Sequence, residues 1–117
     1  MPDPSDEDMK IVTLARAARL RAYTPHTGTA EGAAVRDGDG RTYAAATVEH
    51  ADPTWTTSAL RAALVAAASS GSRRFEAAAV VTAGAGAPED EPLVREFGVP
   101  LVLVADPDGT VLRTWTP

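Results

Sequence analysis

The sequence predicts a single α/β domain in which helices cover both faces of a mixed five-stranded sheet. Two segments, residues 75–82 and 99–105, are almost entirely apolar, as strands covered on both faces are. Apolar residues recur at helical spacing before and between these segments. Residues 37–40, Asp-Gly-Asp-Gly, predict a hairpin turn because they tolerate positive φ.

The N-terminal part predicts a tail and then a helix. Residues 1–8 are acidic and contain prolines, so we expect a flexible tail there, with one domain over residues 9–117. Ser5 or Asp6 is the expected cap of the first helix. This helix is expected to end before Pro25, because a residue that precedes proline disfavours the helical conformation.

The central part predicts a hairpin and a second helix. Strands are expected at residues 32–36 and 41–47, and an irregular segment at residues 48–55. Thr57 is the expected N-cap of a helix that runs to Ser69. Small residues lie on more than one face of this helix, which would allow a partner helix to approach closely. They are Ala59, Ala62, Ala63, Ala66, Ala67 and Ala68.

The C-terminal part predicts a short helix between two strands and then an edge strand. After a loop of small residues at 83–88, residues 89–97 predict a helix with Gly98 at its C-terminal cap. Residues 106–109 predict a turn, and residues 110–115 predict the edge strand.

Charge and composition exclude several classes of function. The formal net charge is −5 and the 11 basic residues are scattered, whereas nucleic-acid binding requires clustered Lys and Arg. No apolar run is long enough to cross a bilayer, so neither nucleic acid nor membrane is an expected partner. The absence of cysteine excludes thiolate metal ligands and a Cys nucleophile. Abundant Ala, with Arg in place of Lys, indicates a bacterial protein, and we expect a cytoplasmic location.

Several short strings occur in a fixed order along the chain. They are Ala22-Tyr23-Thr24-Pro25, Gly32-Ala33-Ala34-Val35, Val48-Glu49-His50-Ala51, Ala77-x-Ala79-Val80-Val81 and Glu96-Phe97-Gly98. In order and spacing, from about residue 22 to residue 109, the chain resembles the small zinc-dependent cytidine deaminases. The resemblance implies a cytidine-deaminase-like three-layer α/β/α sandwich, and a homotetramer or dimer packed through helices.

The residues at the catalytic positions depart from this family. Its members bind zinc through one Cys or His at the start of the second helix and two at the start of the third, and a Glu two residues after the first ligand moves protons. By the resemblance, the ligand positions hold Ser58, Ala87 and Asp90, and the Glu position holds Leu60. A hydroxyl, a methyl and one carboxylate do not make a tetrahedral zinc site. We therefore expect no metal, no cofactor and no catalytic residue.

The substrate pocket departs as well. The resemblance puts Thr47 where the family has an Asn that contacts ribose, and Thr29 where it has an aromatic residue against the pyrimidine. Glu49 matches an acceptor for a ribose hydroxyl. It either accepts a ligand hydroxyl or satisfies backbone N–H groups of the irregular segment. These three residues and the four catalytic positions together form a vestigial pocket.

The two histidines raise the question of a replacement metal site. His26 and His50 could combine with Glu49, Asp52 and Asp90, but the spacing of these residues matches no metal-binding motif. We therefore expect ordinary loop histidines that are exposed or hydrogen-bonded.

Ser58 and the two tryptophans have further interpretations. Ser58 lies before a helix, where it fits an N-cap, an anion site or a nucleophile, although the sequence identifies no base for it. Trp55 and Trp115 are candidate anchors for a partner. Trp115 is expected to be buried in an oligomer interface rather than in its own domain.

These observations leave three functional hypotheses. The first is a catalytically inactive cytidine-deaminase-like protein that acts through association with itself or with a protein partner. The second is a module that binds a nucleoside or small metabolite weakly without turning it over. The third is a deaminase-type hydrolase with an unrecognised site.

Overall fold

The computed structural model describes residues 4–84 and 88–117, and in that part of the chain eight helices and strands form one domain. Short 3₁₀ turns at Pro53–Trp55 and Pro88–Asp90 precede two of the helices. In chain order the elements are α1 (Asp6–Arg19), β1 (Glu31–Asp37), β2 (Thr42–Ala46), α2 (Ala59–Ser69), β3 (Phe75–Thr82), α3 (Glu91–Glu96), β4 (Val102–Ala105) and β5 (Val111–Trp115).

The five strands form one mixed sheet in the order β2-β1-β3-β4-β5. Strands β3 and β4 pair in parallel, and the other three pairs are antiparallel. The apolar segments predicted to be covered on both faces are the central strand β3 and its neighbour β4, with burial throughout β4. The predicted mixed five-stranded sheet is confirmed.

Helices cover both faces of the sheet, which confirms the predicted three-layer architecture. On one face, Ile11 and Val12 of α1 pack against small side chains of β1 and β3. On the other face, Leu60 and Leu64 of α2 and Val94 of α3 share a second apolar core. The first core contains residues of α1 and the second contains residues of α2 and α3, and the sheet lies between them.

Gly32 allows α1 to lie directly on β1. A Cβ atom at this position would lie 2.0 Å from the carbonyl oxygen of Ala15 and 2.5 Å from the backbone nitrogen of Arg19. Both atoms belong to the α1 backbone, so no side-chain rotation would relieve the overlap. The glycine in the Gly32-Ala33-Ala34-Val35 string is therefore required for close packing of helix on sheet.

Both long helices begin at a serine cap. The hydroxyl oxygen of Ser5 accepts the backbone N–H of Asp8, so α1 begins at Asp6 and residues 6–8 of the expected tail are helical. The prediction that Thr57 caps the second helix is wrong. Ser58 is the cap and accepts the N–H of Arg61, while the backbone of Thr57 pairs with Val48.

Two further predictions about the C-terminal part are corrected. The expected helix over residues 89–97 is shorter, because a 3₁₀ turn precedes α3. Trp115 packs, partly buried, against the core on the α2 side, so it does not depend on an oligomer for its burial. In the described residues no helix is both long and apolar enough to cross a membrane.

Candidate functional site

The predicted site residues lie at one edge of the sheet. Strand β1 begins at this edge, where Glu31 pairs with Thr82 at the end of β3 and Gly32 pairs with Ala46 at the end of β2. The segments that leave or reach the sheet here include residues 20–30, 47–58, 83–84 and 88–90. Topology therefore brings together residues that are far apart in the sequence.

Ser58 and Asp90 contact each other directly. The Ser58 hydroxyl donates to Asp90 Oδ2 over 2.5 Å, while the Ser58 oxygen also accepts the N–H of Arg61. Asp90 is only 6% exposed. The two described residues that the resemblance assigns to zinc-ligand positions are thus hydrogen-bonded to each other across 32 positions of sequence.

Burial is the main influence on the Asp90 carboxyl group. Desolvation raises its pKa, and the charge of Glu89 adds to this effect, while the Ser58 hydroxyl and the charge of Arg61 act in the opposite direction. The net shift is upward, because burial and the charge of Glu89 outweigh the Ser58 hydroxyl and the charge of Arg61.

The residues at this edge do not fit a zinc ion. Among residues 4–84 and 88–117, no three His, Cys, Asp or Glu side chains converge in a way that could hold a metal. The third ligand position, Ala87, lies outside the described residues. Leu60, at the position of the proton-carrying Glu, is 3% exposed and belongs to the apolar core under α2.

Glu49 is buried and holds the loop that follows α1. Its Oε1 accepts the N–H groups of His26 and Thr27 at 2.9 and 3.2 Å, and its Oε2 accepts the Thr27 hydroxyl. The Thr27 hydroxyl is the largest cause of a lowered pKa, followed by the two backbone donors, against an upward effect of burial. Of the two interpretations of Glu49, the structure supports the one in which its carboxylate accepts backbone N–H groups. The donors belong to residues 26–27, however, and not to the irregular segment.

A pocket of about 380 Å³ borders Glu49. Both histidines line it, together with Pro53 and Thr56. The two histidine side chains are exposed, and the His50 ring contacts Trp55 edge to face at 6.2 Å between centroids. The prediction of ordinary loop histidines is confirmed.

The two threonines of the vestigial pocket differ in burial. Thr47 is buried, and its hydroxyl donates to the carbonyl oxygen of Glu31. Thr29 is exposed, and its backbone N–H donates to the Thr27 hydroxyl. Neither threonine side chain carries the aromatic ring or the amide group that the resemblance implies at these positions for contact with a base or a sugar.

Two polar contacts at this edge were missed by the sequence analysis. Glu31 is buried, and its carboxylate accepts the Thr82 hydroxyl at 2.6 Å. The only feature of the sequence that pointed to this contact was a carboxylate at the start of an apolar string. The Ser58–Asp90 contact supplies the carboxylate partner that the sequence did not identify for Ser58. The resemblance could have predicted this contact. It assigns both residues to one zinc ion, and two ligands of one metal must lie close together in the fold.

A groove lined by both polar and apolar residues lies along the outward face of α2. It has a volume of about 560 Å³ and includes Trp55, Ala62, Val65 and Ala66. Trp55 is 66% exposed and Val65 is 50% exposed. The predicted small-residue face of α2 is therefore adjacent to two large apolar side chains that the domain itself does not cover.

Comparison with known proteins agrees with this fold. A family model described as cytidine deaminase-like matches residues 4–109. The cytidine deaminase of Burkholderia pseudomallei is 30% identical, with a TM-score of 0.83 over 92% of this chain and 90% of its own. That of Mycobacterium tuberculosis is 27% identical, with a TM-score of 0.75 over 94% of this chain and 91% of its own. That of Mycobacterium leprae is 24% identical, with a TM-score of 0.76 over 97% and 94%. No curated protein matches the sequence.

Proposed function

The chain belongs to the cytidine deaminase-like family, and we propose that it is a member that has lost zinc-dependent deamination and acts by association with itself or with another protein. The observation that carries the first part is the Ser58–Asp90 hydrogen bond. Both residues stand at zinc-ligand positions by sequence resemblance, and each already has the other as its partner. A cytoplasmic location remains a prediction from the sequence.

The chemistry of deamination needs groups that this site lacks at the matching positions. In the family, zinc lowers the pKa of a bound water, and a Glu transfers the protons. Here a neutral hydroxyl replaces one ligand, and a buried Leu side chain replaces the Glu. Asp90 cannot supply a metal site alone, and burial disfavours its charge.

The groove on α2 supports the second part of the proposal. Exposed Trp55 and Val65 flank Ala66, and Arg61 is the one ionisable residue that lines the groove. A large aromatic side chain beside small residues is a typical anchor for a protein contact. We propose that a second copy of the chain covers this face, as a dimer or tetramer, and that a different protein is the alternative occupant.

Activity and metal content test the loss of deamination. We expect the purified protein to contain no stoichiometric zinc and to convert cytidine and deoxycytidine to the uracil nucleosides no faster than a buffer blank. Elemental analysis and ultraviolet absorbance would measure these quantities, with the Burkholderia pseudomallei enzyme as the positive control. One zinc per chain that survives dialysis, or turnover above the blank, would overturn the proposal.

Weak binding of a nucleoside is a second candidate function. The pocket beside Glu49 favours it, because a carboxylate next to a partly apolar cavity can accept a sugar hydroxyl. The three hydrogen bonds that Glu49 already accepts count against it, since they fill most of its acceptor capacity. Calorimetric titration with cytidine distinguishes the two, because an association-only protein gives no heat of binding.

A further inference from the structure

The N-cap position of α3 holds an aspartate that does not cap its own helix. Asp is among the preferred N-cap residues because its carboxylate accepts N–H groups of the first turn. Asp90 makes no such bond within α3. Its carboxylate instead accepts the hydroxyl of Ser58, the N-cap of α2. The side chain therefore joins the starts of two helices rather than serving one.

We propose that this Ser58–Asp90 pair is a metal-free cross-link, which takes over between α2 and α3 the structural role of the zinc ion. A structural metal stabilises a fold by fixing ligands from separate segments in one place. The pair links the same two segments with one part-buried hydrogen bond over 2.5 Å, whose acceptor, Asp90, is buried. A hydrogen bond from a hydroxyl to an ionised carboxylate is among the stronger hydrogen bonds in proteins.

The geometry of the pair excludes a metal shared between the two oxygens. Two oxygen ligands of one tetrahedral zinc, each about 2.1 Å from the metal, lie about 3.4 Å apart. The Ser58 and Asp90 oxygens are 2.5 Å apart. Zinc could therefore take both of these oxygens as ligands only if their hydrogen bond broke.

A double-mutant cycle tests the cross-link separately from the cap. Ser58→Ala removes both the cap of α2 and the bond to Asp90, whereas Ser5→Ala removes only the equivalent cap of α1. We expect Ser58→Ala to raise the unfolding equilibrium constant about tenfold more in the wild-type background than in the Asp90→Ala background, a coupling of about 1.4 kcal/mol. In the Asp90→Ala background its effect should fall to that of Ser5→Ala. Equal effects in both backgrounds would overturn the proposal.

A second comparison works even if Asp90→Ala does not fold. Ser58→Thr keeps the hydroxyl, and Ser58→Val has the same shape without it. Because Val also removes the cap of α2, Ser5→Thr and Ser5→Val measure the cost of losing a cap alone. In urea unfolding we expect the ratio of the Val to the Thr unfolding equilibrium constant to be about tenfold larger at position 58 than at position 5. With Asp90→Asn, whose amide oxygen still accepts the hydroxyl, the difference should persist. Equal Thr-to-Val differences at positions 58 and 5 would refute the cross-link.

Zinc supplies a last discriminating measurement. Neither added zinc nor a chelator should shift the unfolding midpoint of the wild-type protein. A midpoint that rises with zinc, and does so only when Asp90 is present, would show that a metal rather than the hydrogen bond joins the helices. Turnover of cytidine would count against the proposed function without changing the result of the cycle, so the two proposals fail separately.

Discussion

Four of the five buried carboxylates in the described residues have a Ser or Thr hydroxyl group as a partner, and the fifth, Asp8, pairs with Arg36 at 3.0 Å. Each hydroxyl is neutral, so it stabilises the charge without introducing a second ion that would itself need compensation. An Arg side chain also reaches Asp37, at 3.1 Å, but among the described residues no ion pair involves the other three. The four pairs are Glu31 with Thr82, Asp37 with Ser72, Glu49 with Thr27, and Asp90 with Ser58.

Asp37 is the most extensively bonded of these carboxylates. Ser72 donates to it at 2.6 Å, the N–H groups of Asp39 and Arg41 donate at 3.0 and 2.9 Å, and the Arg41 guanidinium at 3.1 Å. The Ser72 hydrogen bond is the largest cause of a lowered pKa, with burial acting against it. The carboxylate therefore ties the β1–β2 turn to the segment after α2.

We predict a pH-dependent effect of Asp37→Asn. Because the pKa of Asp37 is lowered on folding, its contribution to stability is fully present above its ordinary value of 3.8 and is lost as the pH falls below that value. The variant should be less stable than wild type at pH 7, and the difference should shrink below about pH 4. Urea unfolding at several pH values measures this difference.

Asp39→Asn is the matched control, because Asp39 lies in the same turn but its carboxylate is exposed and pairs only with Arg41. Exposed pairs contribute little to stability, so this variant should stay close to wild type at every pH. An Asp37→Asn difference that stays constant down to pH 2 would contradict the assignment.

Sequence reasoning could not identify the contacts that the predicted site residues make. The positions of Ser58 and Asp90 followed from the order of short strings, but their bond depends on how the 3₁₀ turn before α3 orients a side chain. Glu49 was placed correctly beside a loop, yet its donors come from residues 26–27, which only the parallel bridge between Tyr23 and Val48 brings near. Long-range pairing of this kind leaves no periodic trace in a sequence.

At the scale of the element, α2 has two faces with different environments. Ala63, Leu64 and Ala67 are fully buried against the sheet. Val65 and Ala66 are exposed, and the exposed Trp55 lies in the same groove. Periodicity predicted the buried face and the end of the helix at Ser69, whereas the choice of Ser58 over Thr57 as the cap depended on the backbone pairing of Thr57.

We predict that Arg on the outward face of α2 breaks self-association. Ala62→Arg and Ala66→Arg place a charge and a long side chain in the groove, which a partner helix could not cover without desolvating the charge. We expect the native mass measured by light scattering during size-exclusion chromatography to fall to that of a smaller species or of the monomer.

Ala17→Arg is the control for this prediction, because Ala17 is an exposed alanine on α1, away from the groove. Arg is a good helix former, so the substitution itself should not disturb a solvent-facing turn. A wild-type monomer at micromolar concentration, or an oligomer that all three variants leave unchanged, would show that solvent rather than a partner meets this face of α2.

At the scale of the whole molecule, the architecture was predictable because the apolar segments were unambiguous. Residues 75–82 match β3 from end to end, since every residue but one in that strand is buried. Residues 99–105 were predicted too long, because Val99 is buried without joining the sheet and β4 begins only at Val102. Burial and strand pairing give the same apolar pattern, so the sequence alone does not separate them.

At the same scale we predict the effect of restoring the residue types that the resemblance assigns to the family's zinc site. The variant with Ser58→Cys, Ala87→Cys and Asp90→Cys, together with Leu60→Glu, recreates the residue types of the family's zinc site. Three thiolates are strong zinc ligands, and the cross-link that competes with the metal is removed in the same step. We expect this variant to bind about one zinc per chain, as measured by elemental analysis after dialysis.

We nevertheless expect no turnover of cytidine by this restored variant. An activated water accelerates the reaction only when the base is held against it, and binding contacts are as necessary as the metal. Thr47 has its hydroxyl on a backbone carbonyl, Thr29 is exposed, and Glu49 is occupied by residues 26–27. The zinc-loaded variant should therefore stay at the buffer rate in the absorbance assay, and adding Thr29→Phe and Thr47→Asn should be necessary before turnover appears. Turnover by the variant with the zinc site alone would show that the pocket still binds a nucleoside, and would favour the nucleoside-binding function over association.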